Sequence, residues 1–179
     1  MIREIPLFQK NFYARGIEQL LFATFLVSAS SMADSQELAV WRDGGTAHLI
    51  LDDLNGKRIN LADLRGKTVL VNFWATWCTP CVEEMPSLQQ LRTKLGEERL
   101  TVLAVNVGDS KKRIDSFLKK VPLDLPILLD PHSETSKEWK VRGLPTTFIV
   151  GPDGRIRYYQ VGDLDWAKDS VVNRIRNIE

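Results

Sequence analysis

Phe73-Trp74-Ala75-Thr76-Trp77-Cys78-Thr79-Pro80-Cys81 decides how this chain is read. It holds both cysteines of the 179 residues, and it follows Thr68-Val69-Leu70-Val71-Asn72, an apolar and β-branched run of the kind that forms a strand buried on both faces. After it, Val82, Met85, Leu88, Leu91 and Leu95 recur at spacings of three and four, the apolar stripe of a helix that Gly96 closes. The cysteine pair therefore sits at a strand-to-helix junction. Pro86 falls inside that helix and predicts a kink, because it removes a backbone donor and crowds the preceding turn.

Cysteines at C-x-x-C spacing also occur in zinc sites and haem attachment sites. Zinc takes about four ligands, and only His48 and His132 are available to join the pair. Haem attachment needs a histidine directly after the second cysteine, where Val82 stands. Both histidines read as surface or turn residues. Disulfide exchange needs an exposed thiol of lowered pKa and a second thiol within reach. Cys78, just ahead of a helix start, meets the helix's unpaired N–H groups and positive dipole end, which favour thiolate. Pro80 fits the first helical turn, where a missing N–H costs nothing. Cys78 is then the attacking thiol and Cys81 the resolving one, with Thr79-Pro80 setting the local geometry between them.

Working outward, His48 to Leu51 reads as a strand and Asn55-Gly56 as a hairpin turn returning into Lys57 to Ile59. One capped helical turn spans Asn60 to Lys67. Beyond the long helix come a strand from Leu100 to Val107, a lysine-rich helix from Asp109 with Ile114, Phe117, Leu118 and Val121 on one face, and a short strand Ile127 to Leu129. A helix from Ser133 to Lys140, strands Thr146 to Val150 and Arg155 to Gln160, and a last helix containing Trp166, Val171, Val172, Ile175 and Ile178 complete the chain. Strands alternating with helices, then a hairpin and a helix, predict an α/β sandwich around a mixed sheet, with helices on both faces.

The N-terminus reads as a targeting segment. Arg3, Lys10 and Arg15 precede an apolar run from Leu20 to Val27, then small residues up to Ala33. Residues 1–33 are expected to be a signal peptide, and 34–179 the working domain. An uncleaved anchor extending from Ile17 to Ala33 is the alternative, which Glu18 opposes; a helix packed on the domain would lack a polar face between Leu20 and Val27. Without the leader, basic and acidic residues balance. No basic stripe points to nucleic acid. In an exported protein, one close cysteine pair is too local to staple a fold, and so is expected to react.

Taken together, these residues resemble the thioredoxin superfamily, and within it the exported TlpA/ResA-like thiol–disulfide oxidoreductases. Val71 to Cys81 is similar to that branch's active-site strand and loop, and Glu84-Met85-Pro86 to its E-x-P helix continuation. Gly143-Leu144-Pro145-Thr146-Thr147-Phe148 is similar to the superfamily's cis-proline loop, and Asp109 to Leu129 to a helix–strand insertion. The likeness covers Ala47 to Ile178. It implies a three-layer thioredoxin-like sandwich with an N-terminal hairpin, and a cis Pro145 facing the cysteines, as against a plain strand-start proline. It also implies that the Leu144 backbone pairs with an incoming peptide as an added strand, and that Trp77 covers the site, core packing being the alternative.

One position departs from thioredoxin: Asn72 stands where that protein has a buried aspartate. Glu84, one helical turn beyond Cys81, is the acid the resemblance puts forward to shuttle the resolving thiol's proton. The plainer reading is a solvent-facing glutamate like Glu83. The activity implied is reduction of exported protein disulfides, those of cytochrome c precursors or of copper-site proteins, with electrons from a membrane thiol donor. It implies no cofactor and no metal, and a monomer on the periplasmic side of the membrane. A copper carrier, which favours a wider C-x-x-x-C and a matched histidine, and a thiol peroxidase, whose threonine–cysteine context is missing, are the alternatives on the same fold.

Overall fold

The computed structural model describes residues 38–178; the signal-peptide and anchor readings of residues 1–33 lie outside them. In chain order the elements are β1 (Ala39–Val40), β2 (Ile50–Asp52), β3 (Arg58–Asn60), a 3-10 turn (Leu61–Leu64), β4 (Thr68–Trp74), α1 (Thr79–Leu95), β5 (Leu100–Val107), α2 (Lys111–Leu118), β6 (Ile127–Asp130), α3 (Glu134–Glu138), β7 (Thr146–Val150), β8 (Ile156–Val161) and α4 (Asp169–Arg176). Six strands form one mixed sheet in the order β1-β8-β7-β4-β5-β6. β4, β5 and β6 run parallel, while β7, β8 and β1 are added antiparallel.

Every residue of β4 is buried, because β5 and β7 flank it and both of its faces are covered. Its side chains divide by parity, as a pleated strand requires. Leu70 and Trp74 join Met85, Leu88 and Leu91 of α1, Ile114 of α2 and Val171 and Ile175 of α4 in one core. Val69, Val71 and Phe73 join Leu49, Leu61, Trp139 and Phe148 in the other. The two faces are thus covered unequally. Three helices lie on the first, and the second is covered by the β2–β3 segment, the 3-10 turn and the residues around α3. Helices therefore lie on both faces, as expected, but α3, with five residues, is too short to cover the second face by itself.

The local expectations shift in several places. The 48–51 strand begins at Ile50 instead. The Asn55-Gly56 turn belongs to a loop longer than two residues, in which Asp53 Oδ1 accepts from the N–H groups of Asn55 (2.8 Å) and Lys57 (2.9 Å) and Gly56 alone takes positive φ (80°). In α1 the stripe is Cys81, Glu84, Met85, Leu88, Leu91 and Leu95, and Val82 is only half-buried: a 100° step per residue carries the inward face through 81 and 84–85. α2 stops at Leu118, so Val121 lies beyond it. The last helix spans only Asp169–Arg176, leaving Trp166 and Ile178 outside it. Asn60 caps the 3-10 turn through Ala62 N–H, and α1 continues as one element through Pro86.

Candidate active site

β4 ends at Trp74 and α1 begins at Thr79, leaving four residues to turn the chain. Cys78 N–H donates to Ala75 C=O (3.2 Å), which closes that turn. Cys78 is the N-cap of α1, its Sγ accepting from Cys81 N–H at 3.4 Å, and Pro80 occupies the first helical turn. The two cysteines are joined by a disulfide, with Cα atoms 5.3 Å apart. Cys81 is fully buried and Cys78 is 5% exposed. An attacker reaching the pair meets Cys78 first. Trp77 is 62% exposed and projects beside it, so the core alternative for this tryptophan fails.

The Leu144–Pro145 peptide bond is cis. Register brings it to the site: Phe73 pairs with Thr146 across β4 and β7, which puts Pro145 level with Trp74, at the sheet end from which the cysteine loop springs. Pro145 C=O accepts from Gly162 N–H (2.9 Å), and Thr146 Oγ1 donates to Gly143 C=O (2.7 Å), so the loop is fixed on both sides. Leu144 is half-buried there, while Thr79 is exposed and Pro80 half-buried at the helix start.

Glu84 is 4% exposed, which rules out the solvent-facing reading. Its Oε1 accepts from Asn72 Nδ2 (2.7 Å), and its Oε2 from Trp166 Nε1 (2.9 Å) and Leu164 N–H (3.2 Å). Burial pushes its carboxyl up to about 7, and the bonds from Trp166, Asn72 and Leu164 only partly offset this. Asn72 Nδ2 also donates to Thr147 Oγ1 (2.8 Å), so one amide joins α1 to the strand of the cis proline. The cysteine sulfurs are not among Glu84's hydrogen-bond partners. The acid stands one turn along the same buried face of α1 as Cys81.

Several residues of this network are not visible in the sequence pattern. Trp166 reads as part of the last helix's apolar stripe, yet it precedes α4 and its indole N–H holds Glu84. Ser87 Oγ donates to Glu84 C=O (2.8 Å) and accepts from Trp166 N–H (3.1 Å), fastening the same loop one turn further on. A buried tryptophan signals that its N–H needs an acceptor, but nothing local names the acceptor 82 positions away. His48 and His132 are both exposed, and among the described residues no three His, Cys, Asp or Glu side chains converge as a metal site would.

Comparison with known proteins agrees with this geometry. The AhpC/TSA family matches residues 46–159. Thiol-disulfide oxidoreductase ResA of Geobacillus thermodenitrificans (strain NG80-2) is 32% identical over 156 residues, 87% of each chain. ResA of Bacillus subtilis (strain 168) is 39% identical over 109 residues, so that the match spans 61% of that relative's length and 61% of this chain. A secreted thiol-disulfide isomerase from Corynebacterium glutamicum superposes with a TM-score of 0.67 at 26% identity, covering 81% of this chain and 95% of that one. With a thioredoxin-like sheet and a C-x-x-C pair at the head of α1, the chain belongs to the AhpC/TSA family and, within it, to the ResA thiol-disulfide oxidoreductases.

Proposed function

We propose that residues 34–179 act as an exported thiol–disulfide oxidoreductase of the reducing kind, on the periplasmic side of a membrane. Residues 1–33 would be either removed or retained as an anchor. The observation that carries this reading is the Cys78–Cys81 disulfide at the N-terminus of α1. Cys78, at 5% exposure, is less exposed than the free thiol expected but still the more accessible of the two, Cys81 being fully buried. The reduced pair is the working form. Cys78 thiolate attacks one sulfur of a client disulfide, making a mixed disulfide and expelling one client thiolate. Cys81 then gives up its proton, and its thiolate attacks Cys78 sulfur, forming the internal disulfide and releasing the second client thiolate. The two departing thiolates take up the two protons that Cys78 and Cys81 have lost. The client gains two electrons and two protons, and a membrane thiol donor restores the dithiol.

Glu84 is the acceptor of the Cys81 proton, one helical turn from it, with a proton affinity matched to neutral pH. Trp77, Thr79, Pro80 and the Leu144–Pro145 loop form the surface on which the client lies, its backbone pairing with Leu144. The clients are exported protein disulfides, with cytochrome c precursors or copper-site proteins as the proposed classes, and the chain works as a monomer. Cys81→Ser, which cannot resolve the mixed disulfide, is expected to retain clients on Cys78 for identification by mass spectrometry. The purified dithiol should reduce insulin. A reduction potential near the oxidising end of the range, about −120 mV, would overturn the reductant assignment.

A further inference from the structure

The four-residue turn carrying Cys78 is held from outside the site described so far. Thr76, two residues before Cys78, has both of its distinctive polar groups engaged. Its backbone N–H donates to Asp109 Oδ2 at 2.8 Å, and its Oγ1 accepts from Arg113 Nε at 3.0 Å. The same Nε lies 3.2 Å from Asp109 Oδ1. Asp109 is 5% exposed and takes a further bond from Asn106 Nδ2 (3.1 Å), at the end of β5. A buried carboxylate from the β5–α2 junction and an exposed guanidinium from α2 therefore close on one threonine of the cysteine loop.

We propose that Asp109 and Arg113 are a latch that positions the Cys78 loop for thiol exchange; the proposal rests on the dithiol reading above. Ala75 and Cys78 are buried at the loop's two ends, and the more exposed middle is tied to the rest of the fold through Thr76. Trp77 projects into solvent, and the Ala75–Cys78 turn fixes only the shape of the loop. The attacking sulfur gains from the α1 N–H groups only while Cys78 keeps its capping geometry, because a hydrogen bond weakens steeply as it bends. Arginine suits this position because its planar, preorganised head can face carboxylate and hydroxyl together, whereas lysine offers a mobile point charge. The segment from Asp109 to Leu129 thereby acquires a function. It brings α2 alongside the active-site turn.

The test is the rate of iodoacetamide alkylation of Cys78 at pH 7, in a Cys81→Ser background so that only one thiol reports, with thermal melting checked in parallel. Thr76→Val removes the hydroxyl without changing charge, and Arg113→Ala removes its partner. Each is expected to slow alkylation about three- to tenfold, the worth of one hydrogen bond. The double variant is expected to be little slower than the slower single, because both changes break the same contact. Arg113→Lys should recover only part of the rate. The latch is overturned by single variants that melt lower yet alkylate at the parent rate, by losses that multiply in the double variant, or by a fully active Arg113→Lys. Alkylation needs no client, so a chain inert toward insulin would count against the oxidoreductase reading alone.

Discussion

Glu84 concentrates more competing physics than any other described residue. Three donors stabilise its charged form and burial opposes it, and burial prevails, since its carboxyl titrates near 7 in place of the ordinary 4.5. The folded chain therefore binds this proton more tightly than the unfolded chain does. Its contribution to stability is fully present below pH 4.5 and is lost as pH rises to about 7, by on the order of 3 kcal/mol. Glu84→Gln should lack this component. Urea unfolding of both proteins between pH 4.5 and 8 measures it: wild type is expected to lose stability more steeply across that window, and parallel pH profiles would refute the assignment. Asn72 is the companion residue. An aspartate there would put a second carboxyl within 2.7 Å of Glu84, where like charges cannot both ionise readily.

At the scale of elements, α3 illustrates dependence on a neighbour. Five residues cannot hold a helix in water, and Ser133, in the N-cap position with φ 56°, supplies no capping bond. Asp130, at the end of β6, supplies it instead: Oδ1 accepts from Thr135 N–H (3.2 Å) and Oδ2 from Ser136 N–H (2.9 Å). Asp130→Ala should cost about 1–2 kcal/mol, read as a lowered denaturant midpoint, and should loosen Trp139, which packs at the helix's end against Phe73 and Phe148. Asp130→Asn, which keeps one acceptor, should lose less. A midpoint unchanged in the alanine variant would show that α3 stands without its cap. α1 needs no such help. It has its own N-cap in Cys78, and its inward face, Met85, Leu88 and Leu91, is completely buried.

For the molecule as a whole, stability resides in the two cores on either side of the sheet and very little in the disulfide. A bridge closing a four-residue loop removes only about 2 kcal/mol of chain entropy from the unfolded state. The reduced protein is expected to stay folded and to melt only a few degrees lower. Thermal denaturation with and without a thiol reductant measures this directly, and unfolding at 25 °C on reduction would contradict it. A redox protein needs that independence, because its fold must survive both states of the pair.

The amino-acid sequence alone determined whatever depends on neighbours a few positions apart. β4 follows from an unbroken apolar run, α1 from its three-and-four spacing, and the cysteine site from a cap, a proline and a two-residue gap. Those features are local, so periodicity and helix-end chemistry specify them. Tertiary structure decided which distant groups satisfy one another. It brought Trp166 and Leu164 to Glu84, placed Asn72 between Glu84 and Thr147, and set Asp109 and Arg113 on Thr76. It also assigned one face of the sheet to three helices and the other to the β2–β3 segment, the 3-10 turn and α3. A buried polar group announces that it needs a partner, but the identity of that partner is fixed only when strands pair in register and helices dock, and that is information no short window of sequence contains.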